Sequence, residues 1–564
     1  MKFKDYVYER PDLKRITERY EILLEEFKDS QTLDQQNNIL RQINEVRNNI
    51  ETMSSLVHIR HSIDTKDEFY ERENNFMDEN EPKIEKLTFK FYKELVKSKF
   101  RDELEELWGE QIFNLAELQI QTFSEEIMDD LVAENKLITE YNKLIASAQL
   151  EFKGEIRNLS DMRPFLESKD RLTRKSASET MWGFFEKNES EFDRIYDELV
   201  KLRHKMAKTL GFSNYVKMGY KKLGRTDYNS KMVENYRKQV YEDLVPLVSD
   251  LNDRQKKRLG LEDMNYYDEL LEYNTGNATP HGDSDWIIEN GMKMYKELSS
   301  ETDKFFTFMK DRELLDLLSK KGKMAGGYCT IIPDYRSPFI FSNFNGTSGD
   351  IDVLTHEAGH AFQFYMSMDY ELPEYRFPTL EACEIHSMSM EFLTWPWMEK
   401  FFDEQTEKFK FAHLSGALEF IPYGVAVDEF QHWVYANPEV SPAERKAAWR
   451  KIEGKYQPYI DFDGFEYLEQ GSKWIRQSHI FTAPFYYIDY TLAQICAFQF
   501  LIKSRENHET AWSDYLNLCQ VGGSQPFLEL LKIGKLENPF EHGSIAKVMP
   551  YIEEYLNSVD DLNM

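Results

Sequence analysis

His356 and His360 stand four residues apart, with Glu357 beside the first, in the run DIDVLTHEAGHAFQFYMSM. The apolar spacing of that run predicts a helix, which would place both imidazoles on one face, able to reach a single zinc ion at about 2.0 Å. Glu357 falls next to that face. It can stay unligated and take a proton from a water whose pKa the ion lowers towards ~7, which is the chemistry of hydrolysis. In chains of this length and composition the pattern arises by chance in about three per hundred, so it needs support from its surroundings. A buried, metal-free histidine pair is the plain alternative.

A catalytic zinc takes three protein ligands and leaves one position open. The extension that supplies a third histidine to some HExxH sites fails here, because Gln363 stands in place of its glycine and Met366 in place of its histidine. A second predicted helix, Thr379 to about Phe392 (TLEACEIHSMSMEF), offers Glu381, Glu384, His386 and Glu391. Glu381, Glu384 and Glu391 share one helical stripe from which His386 points away, so a carboxylate is favoured over a third imidazole. Spacing does not choose among the carboxylates. Those left over can orient the ligand histidines as hydrogen-bond acceptors.

Three segments, SPFIFSNFNGTSGDIDVLTHEAGHAFQ, LEACEIHSMSMEF and RQSHIFTAPFYYIDYTLAQICAF, resemble the oligoendopeptidase F branch of the thimet oligopeptidase family of zinc peptidases, including the Pz-peptidases. The resemblance covers roughly the last 240 residues; the amino-terminal half matches only in length and helical character. It implies that Glu384, opening the E-x-x-S segment Glu384-Ile385-His386-Ser387, is the third ligand, with Glu381 as fallback. It also implies one zinc per chain, short peptide substrates, and a mostly α-helical, two-lobed body around a deep channel.

Attack on a peptide carbonyl develops negative charge on its oxygen, so a hydrogen-bond donor must be aimed there. In HIFTAPFYYIDY, Tyr486 and Tyr490 share a helical face and Tyr487 lies three residues before Tyr490. Aromatic core packing is the plain alternative for any one of them. The resemblance assigns the role to His479, Tyr487 and Tyr490, with Tyr486 a further candidate for substrate contact. An exposed strand edge could bind any extended peptide through its backbone. Phe339, Phe341 and Asn343, in the strand Phe339 to Asn343, are the candidates, with Gly327 and Tyr328 in a loop above it.

These residues need elements to hold them. From Asp12 to about Phe212 the sequence is periodic helix rich in Glu, Lys, Leu and Phe, a scaffold whose charge runs read as solvated faces. The turn-rich stretch Tyr273 to Asp285 separates it from the rest, and Lys323 to Gly349 clusters Gly, Pro and β-prone residues. Two strands are expected there, near Cys329 to Ile332 and Pro338 to Phe344. Helix resumes at about Asp350, which is expected to cap the amides of its first turn. Ser441-Pro442-Ala443-Glu444 reads as a capping box. The division is thus a helical region 1–212, a helical connecting region 213–322 and a zinc-binding catalytic region 323–564.

Composition narrows the class further. The 564 residues carry 70 Lys+Arg against 100 Asp+Glu, a net charge of -30. That balance repels nucleic-acid phosphates and anionic membranes, so neither is an expected partner. Only 25 Gly and 18 Pro punctuate the chain, which favours long helices and a mainly α fold. Cys329, Cys383, Cys496 and Cys519 show no CxxC pairing, the amino terminus has no apolar signal core, and no apolar run approaches a membrane span. A cytoplasmic protein is expected. The rival functions are an exopeptidase with the same chemistry, in which Arg476 would grip the substrate's terminal carboxylate, and a non-catalytic helical binding protein.

Overall fold

The computed structural model describes residues 1–324 and 326–564. The amino-terminal helices Leu13–Asp29, Leu33–Ile63 and Glu68–Val96 each begin at the side-chain cap their sequence offers: Asp12, Thr32 and Asp67 accept from amides in the first turn. They bury Leu23, Phe27, Leu40, Ile43, Phe91 and Leu95 in a core of their own, which Leu372 and Tyr375 enter from the second half of the chain. A larger core runs from Tyr6 to Leu556. The body is mainly helical, as expected, and the irregular stretch around Tyr273 to Asp285 lies between helices Val245–Arg258 and Ser284–Leu298.

The small sheet has three strands where two were expected. Ser337–Phe344 lies in the middle, antiparallel to Tyr328–Ile332 on one side and parallel to Leu315–Leu318 on the other. The third strand was hidden because LDLL suits a helix equally well, and its partner lies more than twenty residues away. Its presence overturns the expectation that Phe339 to Asn343 is the edge. With both its edges paired, that strand cannot add a peptide; Tyr328–Ile332 is the edge strand beside the motif helix.

The motif helix, Gly349–Ser367, follows directly. Asp350 does not cap it as expected. Its carboxylate reaches back to accept from the Asn345 amide (2.9 Å) and the Gly346 amide (2.7 Å), tying the end of the central strand to the helix start. The motif helix packs on Leu380–Leu393, and both lie against the long helix Tyr487–Val521. Gly359 permits the first contact: a Cβ there would lie 2.6 Å from the His386 carbonyl oxygen and 2.6 Å from the Ser387 Cα. The capping box at Ser441 and Glu444 forms as read.

Candidate metal centre and active site

The close approach at Gly359 brings the two helices' functional side chains together. His356, His360 and Glu384 each present a ligand atom, all within 4.8 Å of one another. Glu384 Oε2 lies 3.4 Å from His356 Nε2 and 3.5 Å from His360 Nε2. Bonds of about 2.0–2.1 Å in a tetrahedral arrangement put ligand atoms roughly 3.3 Å apart, so this donor set fits zinc in both chemistry and spacing. Burial by itself would raise the Glu384 pKa, but His360 and His356 hold it well below the usual carboxylate range.

The other acids and the histidine of that helix separate by environment. Glu391 Oε1 accepts from His356 Nδ1 at 2.7 Å, leaving Nε2 to face Glu384. Glu381 is fully buried near Arg225 and Asp489, and burial pushes its pKa up to about 7. His386 turns away, donating from Nδ1 to the Ala382 carbonyl (2.6 Å), and burial lowers its pKa to about 4. Glu357 is 8% exposed, and burial raises its pKa, which suits a group that must accept a proton and return it. Gly327 lies over it: a Cβ on Gly327 would be 3.7 Å from Glu357 Oε1.

His479, Tyr487 and Tyr490 line a cavity of about 850 Å³ together with Asp352, Glu391, His413 and Arg476. The side-chain amide of Gln477 donates to His479 Nδ1 (2.7 Å), while its oxygen accepts from the Tyr423 hydroxyl (3.1 Å). That arrangement puts the His479 proton on Nε2, and burial lowers the ring's pKa, keeping a neutral donor. Tyr490 packs 5.7 Å from His479, ring to ring, and Tyr487 5.1 Å. Tyr486 has a different partner. Its hydroxyl donates to Glu384 Oε1 at 2.7 Å, and Ser387 donates to Glu384 Oε2 at 3.0 Å, so both orient the carboxylate. Nothing about a glutamine two residues before a histidine marked Gln477 in the sequence; only the fold reveals it.

Three expected substrate contacts, Phe339, Phe341 and Asn343, are corrected, and a fourth, Tyr328, keeps only its backbone. Phe339 and Phe341 are 1% and 0% exposed, inside the core. Asn343 donates to the Met324 and Gly326 carbonyls, both at 2.8 Å, and so holds the loop above the sheet instead of a ligand. Tyr328 stacks on Phe341 with ring centroids 4.8 Å apart, leaving only its backbone for a peptide. Gly327 remains exposed above Glu357.

Three convergent ligand atoms, a buried carboxylate beside them and a cavity bordered by His479, Tyr487 and Tyr490 fit a metallopeptidase. Residues 165–549 match the model of peptidase family M3, and residues 3–123 match the peptidase M3 N-terminal domain. The chain belongs to peptidase family M3 and is a metallo-oligopeptidase. It is similar to Pz peptidase A, solved with an inhibitor, at 56% identity over 100% of both chains and a TM-score of 0.97. An oligoendopeptidase F homologue of Borreliella burgdorferi is 26% identical over 417 residues, 70% of this chain and 68% of that protein. Oligoendopeptidase F from Enterococcus faecium, 17% identical, shares the fold over 98% of this chain and 99% of its own, with a TM-score of 0.64.

Proposed function

We propose that the chain is a zinc-dependent endopeptidase that hydrolyses internal bonds of short peptides, with His356, His360 and Glu384 holding one zinc ion. The observation that carries this reading is the 3.4 and 3.5 Å spacing of the Glu384 oxygen from two imidazole nitrogens, with Glu357 alongside. Zinc would supply Lewis acidity, polarising the scissile carbonyl and making a water acidic at neutral pH. Glu357 accepts the proton of the attacking water and passes it to the leaving amine. His479, through Nε2–H, and the hydroxyls of Tyr487 and Tyr490 stabilise the carbonyl oxygen as it gains charge. Tyr486 and Ser387 hold Glu384 in place. The edge strand Tyr328–Ile332 and Gly327 offer backbone groups to an extended peptide, a mode of binding that does not read side chains.

Residues 323–564 act as the catalytic region, with 1–212 as scaffold and 213–322 connecting them. No helix among the described residues is long and apolar enough to cross a membrane. The four cysteines are free in the fold, which suits a reducing compartment, and we place the protein in the cytoplasm.

Glu357→Gln should retain stoichiometric zinc by elemental analysis and lose nearly all turnover; an unchanged rate would remove Glu357 from the reaction. One observation favours the exopeptidase alternative: Arg476 lines the cavity, exposed. Peptides blocked at both termini decide between the two. Cleavage at internal bonds supports the endopeptidase, whereas activity only on free carboxyl termini, abolished in Arg476→Ala, supports the alternative.

A further inference from the structure

Glu391 does not stand alone behind His356. Its second oxygen, Oε2, lies 2.8 Å from His413 Nε2, on the long helix Thr406–Ala436. The other ring nitrogen, His413 Nδ1, lies 3.2 Å from the indole Nε1 of Trp395. An indole nitrogen can only donate, so His413 Nδ1 must carry the lone pair and Nε2 the proton. That proton goes to Glu391 Oε2. Glu391 Oε1 is then left to accept the Nδ1 proton of His356, and a lone pair on His356 Nε2 faces the metal site.

The ring of His413 is held for this task. It is stacked on Phe409 (centroids 5.5 Å apart, 17° between planes) and packed against Phe392 at 4.9 Å, with its side chain 8% exposed. Asp352, whose Oδ1 lies 4.0 Å from His413 Nε2, is the other carboxylate facing it. His360 has no such support: its Nδ1 is buried with no hydrogen-bond partner among the described residues. The two imidazoles of the motif are therefore held unequally.

We propose that His413, with its tautomer set by Trp395, is a positioning residue for the metal centre: it orients Glu391 and thereby presents the unprotonated Nε2 of His356 to zinc. The proposal rests on the zinc reading above.

The test is zinc affinity, measured by competition with a chromophoric chelator on the full-length protein, with melting curves to confirm folding. His413→Phe, which fills the space without a donor, should weaken zinc binding about 10–100-fold. His413→Gln, which restores an N–H towards Glu391, should recover affinity to within about threefold of the parent. Trp395→Phe should weaken binding by a smaller factor, because the ring stays but its tautomer is released. Parental affinity in both folded phenylalanine variants overturns the proposal. Should His413→Phe fail to fold, ring-nitrogen NMR of the zinc-loaded parent decides: protons on His413 Nε2 and His356 Nδ1 support the proposal, and a proton on His413 Nδ1 overturns it. If the parent itself binds no zinc, the reading of the centre fails instead, and the two failures are told apart.

Discussion

Tyr486, Tyr487 and Tyr490 are three phenols within five residues, yet their surroundings give them different work. Tyr486 donates to the Glu384 carboxylate, whereas Tyr487 and Tyr490 border the cavity around His479. Tyr486→Phe is therefore expected to weaken zinc binding, by up to about 10-fold, with kcat preserved at saturating metal. Tyr490→Phe should leave zinc affinity unchanged and lower kcat. Removing one donor from an oxyanion site costs about 10²–10³-fold, the fall expected for His479→Gln with zinc content unchanged. Chelator competition and steady-state kinetics on the same preparations separate these outcomes; equal zinc affinity in Tyr486→Phe would return Tyr486 to the substrate side. The HExxH pair and Glu357 were legible because a four-residue spacing fixes side chains on one helix. The role of Tyr486 was not, since its partner Glu384 lies 102 residues away in the chain, and Gln477 went unmarked although His479 is only two residues on, because no helical or strand periodicity links the two.

At the level of elements, the site depends on how near two helices come. Gly359 is the only residue type that lets the motif helix approach the His386–Ser387 backbone as observed, because any Cβ would sit 2.6 Å from two backbone atoms. Gly359→Ala should destabilise the fold by about 1–3 kcal/mol, outweighing the ~1 kcal/mol that alanine gains in helix propensity. It should also weaken zinc binding by parting Glu384 from the histidines. A urea titration with a matched zinc titration checks both, and a more stable variant would show that the helices are free to shift. The sheet was the element least legible in advance. Strand order depends on pairing between distant segments, and the short apolar run Leu315–Leu318 carries no periodicity that separates strand from helix. Asp350, read as a cap for its own helix, found nearer amides in the preceding turn.

Across the whole molecule, buried charged side chains of the helices before residue 240 hydrogen-bond to the elements that carry the site. Arg203, fully buried, donates to Glu134, to the Tyr435 hydroxyl at 2.9 Å and to the Phe481 carbonyl at 2.6 Å, three residues from Pro484 and two from His479. Burial opposes ionisation of Glu134, but Lys222 and Arg203 outweigh it and hold the pKa down at about 2. Asp428, buried beside His432 and Arg237, is likewise held at about 2. Because both values lie below those of an unfolded chain, the stability they contribute is fully present above about pH 5 and lost as pH falls towards 2. Urea midpoints between pH 5 and pH 2 should fall accordingly. Glu134→Gln, which leaves Arg203 without its counter-charge, should cost about 3–5 kcal/mol at neutral pH and flatten the acid dependence. A cavity of about 850 Å³ admits a peptide and not a folded domain, so short peptides should be cleaved while native globular proteins remain intact when products are mapped by mass spectrometry.

The sequence alone determined the helical class, the two histidines with their neighbouring glutamate, and the stripe of acids on the following helix, because each depends on spacing within a single element. Resemblance to a known family singled out Glu384 among those acids where spacing did not, and the tertiary structure brings it to the histidines; only that structure decided which strand has a free edge and which distant side chains set the orientation of each ring. Those outcomes depend on how closely separate segments pack, and closeness in space between residues far apart in the chain leaves no periodic trace in the order of amino acids.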